Sequence, residues 1–153
     1  MVTIRKARKA DIAELAKIYK RAYDRPKFGE KWDIKETKAL LNFYLQQKTF
    51  LGLTALVDGK IVGAFFSCAK TWHDGDHLAE GELFVDPRYQ NQKTGTKLFL
   101  SMMILAKKKK CVVHELVAYA RIARWYAKIG MKDTKLKHMA GDIQKIIKKM
   151  TTQ

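Results

Sequence analysis

The chain has little cysteine and little proline, two of each in 153 residues. Two cysteines cannot build a disulfide framework, and Cys68 and Cys111 lack the paired spacing of a zinc site. Both stand in apolar, strand-like surroundings and read as buried, reduced thiols, which makes the cytoplasm the expected compartment. With two prolines, no repeat and no low-complexity stretch, nothing reads as a linker, and residues 1–153 are expected to form one domain. Apolar runs are short too. None reaches the roughly 18 residues of a membrane-spanning helix. The opening MVTIRKARKADIAEL is charged within five residues and has no apolar core of the secretory-signal kind.

Negative charge is also scarce. Fifteen Asp and Glu face 31 Lys and Arg, a net charge of +16. Such a surface attracts polyanions, whether nucleic acid, acidic lipid or phosphorylated cofactors, without choosing among them. The lysines are scattered over helices and tail, with no aromatic-rich RNA motif and no DNA-reading helix, so a nucleic-acid partner is open but not expected. The few acids are unevenly placed. Five of them, Asp74, Asp76, Glu80, Glu82 and Asp86, fall within residues 72–86, WHDGDHLAEGELFVD, a stretch without Lys or Arg. That island stands out against the basic background.

The periodicities predict an α/β (α+β) protein. A first strand covers residues 3–7. Asp11 and Glu14 have capping-box spacing before a helix whose Ile12, Leu15, Ala16, Tyr19, Ala22 and Tyr23 share one face. Asp33 and Glu36 repeat the signal before a second helix to about Gln47. FLGLTALV and IVGAFFSCA are joined through Asp58-Gly59, a hairpin signal. GELFVD is the next strand, followed by a loop and a helix from Thr94 to Lys108. CVVHELVA is a further strand, and Arg121–Ile129 a short helix stopped at Gly130. The tail from Met131 reads as a weak strand and then a basic helix from about Gly141. The order β-α-α-β-β-β-α-β-α-β makes a mixed sheet flanked by helices.

The junction DPRYQNQKTG, residues 86–95, carries the first functional signal. A strand that turns tightly into a helix leaves backbone N–H groups free at the positive helix end, which suits phosphate. Glycine favours such a turn by allowing close approach and positive φ. Here LFVDPRYQNQKTGTKL, Leu83 to Leu98, resembles the strand–loop–helix signature of the GNAT superfamily of acyl-CoA N-acetyltransferases. Val85-x-Pro87 is followed by an Arg/Gln-x-x-Gly-x-Gly/Ala core in which Gln90 takes the Arg/Gln place and Gly95 the last glycine. Lys93 stands in the first glycine position and Asn91 where another glycine is common. ARIARWYAKIGM, Ala120 to Met131, is similar to the family's later helix, with Ala123, Trp125, Tyr126 and Gly130 at the recurring places and Ala120 where an Asn is usual.

The resemblance implies a mostly antiparallel mixed sheet, acetyl-CoA as cosubstrate, and direct attack by an amine with no covalent enzyme intermediate. It implies cofactor contacts from Phe84 and Val85 on the strand and from Gln90, Asn91, Gln92, Lys93, Thr94, Gly95 and Thr96 in the loop and helix start. A backbone N–H within Leu83–Val85 would polarise the thioester carbonyl. Lys93 either meets a CoA phosphate or points to solvent. Tyr126 aligns with the tyrosine that protonates the departing thiolate, while its own residues also allow a plain core aromatic beside Trp125.

Candidate bases are Glu82 and Glu80, placed on one strand face by their spacing of two, and then His114, whose intrinsic pKa suits the task. Trp72, Asp74 and Asp76 are expected at the rim of an acidic patch that receives a cationic amine. Protein N-terminus, lysine side chain, polyamine, aminoglycoside and other small amines all fit such a patch, and a homodimer is open. No metal site is expected. His73 and His77 bracket two aspartates, but Gly75 puts a turn between them. Other classes stay open: a basic nucleic-acid- or ribosome-associated module, and a degenerate CoA-binding domain without transferase activity, which Lys93 motivates.

Overall fold

The structure is a computed structural model, and it describes residues 1–134 and 136–151. The residues group into two compact units, Met1–Leu116 and Val117–Gln153. The first holds a five-stranded sheet in the order β1-β2-β3-β4-β5. Its strands are β1 (Val2–Lys6), β2 (Phe50–Val57), β3 (Lys60–Trp72), β4 (Gly75–Val85) and β5 (Cys111–Glu115). Neighbours pair antiparallel except β4 and β5, which run parallel. The sheet is therefore mixed and mostly antiparallel.

Local chemistry accounts for most elements. Asp58 and Gly59 both adopt positive φ, 49° and 76°, and close the β2–β3 hairpin as the primed turns of such ribbons require. Helix α2 (Ile34–Leu45) begins on a formed capping box: the Glu36 N–H donates to Asp33 Oδ1 at 2.6 Å, and the Asp33 N–H to Glu36 at 3.4 Å. The matching signal at Asp11 works differently. Helix α1 (Ile12–Tyr23) follows a 3-10 turn, Lys9–Asp11, and the Asp11 side chain makes no cap bond to the helix. Its carboxylate instead takes two Arg5 N–H groups, at 2.7 and 2.8 Å, and the Arg8 N–H at 2.8 Å. A buried carboxylate keeps its charge more cheaply beside a bidentate guanidinium than at a helix start.

Helices cover both faces of the sheet. On one, α1 buries Ile12, Leu15, Ala16, Ile18, Tyr19 and Ala22 together with Leu41 of α2 and the strand residues Ala64, Phe66 and Phe84. On the other, α3 (Thr94–Lys108) buries Leu98, Phe99, Met102 and Ala106, and Phe99 stacks on Phe65 at 6.0 Å.

Three strand expectations change. The strands reach further toward each other than IVGAFFSCA and GELFVD: β3 extends to Trp72, β4 starts at Gly75, and the two form one long hairpin with only His73 and Asp74 at its tip. Strand β5 ends at Glu115 instead of Ala118, where its pairing to β4 stops. In the second unit, α4 (Ala120–Lys128) and α5 (Ile143–Thr151) are helical, and the described residues between them form no strand. The apolar pattern there is too sparse to hold a strand without a paired neighbour.

Candidate active site

The loop after β4 is built around one buried carboxylate. Asp86 is 1% exposed. Its oxygens accept from Arg21 Nε and Nη2 of α1 at 3.1 and 2.7 Å, and from Arg88 Nε and Nη2 at 3.0 and 2.8 Å. The Arg88 N–H adds a bond at 3.1 Å. These bonds, Arg88 first, outweigh desolvation and hold the Asp86 pKa well below the usual carboxylate range. Gln90 Nε2 then donates back to the Val85 carbonyl at 2.9 Å, tying the turn to the strand end.

The loop reaches α3 through two left-handed residues, Asn91 (φ 62°) and Lys93 (φ 63°, ψ 8°). These are the two places where the resembled signature favours glycine. Gly95 lies inside α3 with no positive φ, and a Cβ there would meet only Val85 Cγ2 at 3.8 Å. The left-handed constraint therefore falls on Lys93, and the small size of residue 95 keeps room outside the helix. The first i→i−4 bond of α3 runs from the Lys97 N–H to the Lys93 carbonyl, which leaves the Thr94, Gly95 and Thr96 amides without helical partners. Lys93→Gly is expected to stabilise the fold by about 0.5–1 kcal/mol, because the left-handed penalty of an L-residue exceeds the extra unfolded-state entropy of glycine. Chemical denaturation checks this, and a loss of stability would show that the lysine side chain holds the turn.

Beside the loop, β4 parts from β5. Pairing between them runs from Asp76↔Cys111 to Ala79↔Glu115 and ends there, so residues 80–85 have β3 on one side only. The Asp86 N–H donates to Val62 of β3 at 2.8 Å. By alternation the backbone groups of Phe84 and Glu82 also face β3, and those of Leu83 and Val85 face the open edge. Side-chain donors found on that edge agree: Tyr23 Oη reaches the Leu83 carbonyl at 3.1 Å and Gln90 reaches that of Val85. Phe84 is turned away from it. Its ring is 3% exposed, packed on Tyr19 at 5.0 Å, and its backbone belongs to the β3 side, so it offers a ligand nothing.

The two strand glutamates occupy different settings. Ala79 pairs with Cys68 and Glu82 with Phe66, so Glu80 and Gly81 together oppose Ser67 in a bulge. Gly81 (φ 117°) fits because a Cβ would stand 2.3 Å from the Phe66 carbonyl oxygen. The bulge breaks the period of two that put Glu80 and Glu82 on one face: Ala79 and Glu82 share it instead. Glu80 (φ 45°) is exposed, and Glu82 is half-buried, with Tyr19 Oη donating to its Oε2 at 2.9 Å. Burial raises the Glu82 pKa to about 7, the Tyr19 bond opposes the rise, and the charges of Glu30 and Glu80 add to it. A carboxylate so poised exchanges a proton near neutral pH.

His114 does not join Glu82. It lies on the α3 face, its ring 5.6 Å from Phe99 and 5.9 Å from Phe65, while Glu82 faces α1. Its Nδ1 bonds the Leu78 carbonyl at 2.9 Å, and burial lowers its pKa, so it sits half-buried and neutral against those rings. Trp72, Asp74 and Asp76 lie at the far end of the hairpin; Asp76 is six positions from Glu82, roughly 20 Å of strand. There Asp74 receives His77 Nε2 at 2.8 Å, His77 Nδ1 meets Glu115 at 3.3 Å, and Lys70 sits 4.4 Å from the Trp72 ring centre. The acids of this end hold the hairpin tip. Tyr126 lies on α4 in the second unit, half-buried, its ring 4.9 Å from that of Trp125 and its pKa raised by burial.

Sequence reasoning passed over the residues that surround Glu82. Tyr19 reads as one more apolar position of α1, and Tyr23, Glu30, Trp32 and Tyr44 carry no motif. Trp32 Nε1 donates to Glu30 at 2.6 Å, and its ring meets Tyr19 edge-on at 5.2 Å.

The sequence matches the acetyltransferase (GNAT) family over residues 12–131, most of its length. The chain belongs to that family. No curated protein matches the GNAT chain at a significant level. Its fold is similar to that of a predicted acetyltransferase of Clostridium acetobutylicum solved with acetyl-CoA, at 20% identity, with 92% of this chain and 96% of that one covered and a TM-score of 0.75. A possible acetyltransferase from Clostridium difficile gives 17% identity, coverage of 94% and 98%, and a TM-score of 0.79. Glucosamine-6-phosphate N-acetyltransferase from Arabidopsis thaliana gives 16%, coverage of 94% and 99%, and 0.71. At these identities the GNAT fold is what is shared. No helix among the described residues is long and apolar enough to cross a membrane.

Proposed function

We propose that the protein is an acetyl-CoA-dependent N-acetyltransferase acting on a primary amine by direct attack. The observation that carries this reading is the parting of β4 from β5 beyond Ala79, immediately before a loop that delivers free amides at the start of α3. Acetyl-CoA is the acyl donor. Its pyrophosphate meets the amides of Thr94, Gly95 and Thr96 and the loop Gln90–Lys93, where the helix dipole favours anions. The pantetheine runs along the open edge, and the Leu83 or Val85 N–H polarises the thioester carbonyl.

Glu82 takes a proton from the acceptor ammonium, directly or through water. The neutral amine then attacks the carbonyl carbon, the C–S bond breaks with the electron pair leaving on sulfur, and the nitrogen gives its second proton to solvent as the amide forms. Tyr126, by its motif position, returns a proton to the thiolate; a phenol of pKa near ~10 is protonated at neutral pH and can serve a thiolate of pKa near ~8.5. Because a thiolate also leaves unassisted, Tyr126→Phe is expected to lower kcat about tenfold to a hundredfold with little change in acetyl-CoA affinity, read by steady-state kinetics.

The test is acetyl-CoA binding by calorimetry, followed by thiol release over a panel of amines. Micromolar to millimolar binding with amine-dependent thiol release supports the reading. Absence of binding in a folded sample refutes it, and tight binding with no thiol release from any amine favours a degenerate CoA-binding domain. If the Lys93 ammonium meets a phosphate, Lys93→Gly weakens binding more at low salt than at high salt.

A further inference from the structure

We infer that Tyr19 is the positioning residue for Glu82, holding its carboxylate by one oxygen so that the other faces the acceptor amine. The inference rests on the reading of Glu82 as the base. Its geometry comes from the fold alone. Tyr19 is 3% exposed and projects from α1 across the face of β4, and its hydroxyl donates to Glu82 Oε2 at 2.9 Å. The ring cannot swing away. Tyr23 lies 4.6 Å from it, Phe84 5.0 Å and Trp32 5.2 Å, so three aromatic walls fix where the hydroxyl points. A donor set by packing leaves the glutamate a single favoured rotamer and occupies Oε2, which leaves Oε1 as the proton acceptor.

The same bond sets when the base is charged. Every other group near Glu82 favours its neutral form: burial first, then the charges of Glu30 in the α1–α2 loop and Glu80 on β4. Tyr44 of α2 also faces this cluster, its own pKa raised by burial and by Glu82, Cys68 and Glu80. Burial and the neighbouring Glu82 raise the Tyr19 pKa strongly, so Tyr19 remains a protonated donor throughout the working range. Among the described residues, its hydrogen bond is what stabilises the Glu82 carboxylate. Without it, less of Glu82 would be ionised at neutral pH.

The experiment follows Glu82 directly, by carbon-13 NMR of the glutamate side-chain carboxyl across pH in the full chain, with Glu82→Gln to assign the signal. Tyr19→Phe keeps the ring and removes the donor. The Glu82 midpoint is expected to rise by about one to two pH units, the strength of a hydrogen bond to a charged group expressed as proton affinity. The acidic limb of the kcat/KM profile should move with it. Should Tyr19→Phe fail to fold, 3,5-difluorotyrosine at position 19 supplies the opposite change: a more acidic phenol is a stronger donor, and the midpoint should fall. An unmoved midpoint in either folded variant overturns the role of Tyr19. A midpoint that moves while the rate profile stays put overturns the catalytic link to Glu82 and leaves acetyl-CoA binding untouched, so the two readings fail separately.

Discussion

Glu82→Gln is expected to lower turnover at pH 7 about 10³-fold, within the range of lost general acid–base catalysis, while the protein becomes more stable. Glutamine has nearly the same shape, and its carbonyl oxygen can still accept from Tyr19 Oη, so the 2.9 Å contact has a successor. What disappears is the proton acceptor. The rate should recover as pH rises, since free amine then reaches the site without help.

The stability arm runs the other way. Glu82 has a folded pKa of about 7 against an ordinary 4.5. A raised carboxylate pKa means the fold prefers the neutral form. Its contribution to stability is fully present below pH 4.5 and is lost as pH rises through 7. Above that window the ionised group costs the wild type up to about 3 kcal/mol, which the glutamine avoids. Thermal unfolding should show the variant roughly 5–10 °C more stable at pH 8 and near parity at pH 5. A variant that loses activity and stability together at pH 8 would show that Glu82 is structural.

The second large effect is expected at Asp86. Asp86→Ala should destabilise the fold by about 2–4 kcal/mol at pH 7 and weaken acetyl-CoA binding at least tenfold. The carboxylate is the only buried member of its cluster; the Arg21 side chain is 38% exposed and that of Arg88 71%. Removing it leaves the Arg88 N–H without its acceptor and detaches α1 from the loop. The sign with pH is opposite to that of Glu82. The Asp86 pKa is depressed, so its stabilisation is present above the ordinary aspartate range and is lost on acidification below about pH 4. Denaturation curves of wild type and variant should therefore differ at pH 7 and begin to draw together only below about pH 4, as pH falls toward the depressed pKa of Asp86. A constant gap across that range would mean that packing of the side chain, and not its charge, holds the loop.

Much of this protein was legible in its residues because the relevant physics is local. The helical faces of α1 and α3, the Asp33–Glu36 cap and the Asp58-Gly59 hairpin each depend on neighbours within a few positions. The strand–loop–helix run from Leu83 to Leu98 was readable as structure for the same reason, since the sequence pattern largely dictates the direction of its backbone groups. The backbone demand at Lys93 is local too: the residue there is left-handed, whichever side chain occupies it.

What surrounds the candidate base was decided elsewhere. The bulge at Glu80 and Gly81 is a mismatch between two strands, and neither strand announces it alone, so the period of two misplaced Glu80. Tyr19 is 63 positions from Glu82 and Arg21 is 65 from Asp86. Such pairs form only when α1 packs across β4. The proton affinity of Glu82 is a sum over burial, Tyr19, Glu30 and Glu80, gathered from α1, the α1–α2 loop and β4. His114, attractive by its intrinsic pKa, packs against the Phe65 and Phe99 rings on the opposite face. Desolvation and long-range contact are properties of a packed volume, while sequence periodicity reports only which side of an element a residue is on. The sequence alone determined most of the elements and the loop; the packing of α1 on the sheet gave the candidate base its surroundings.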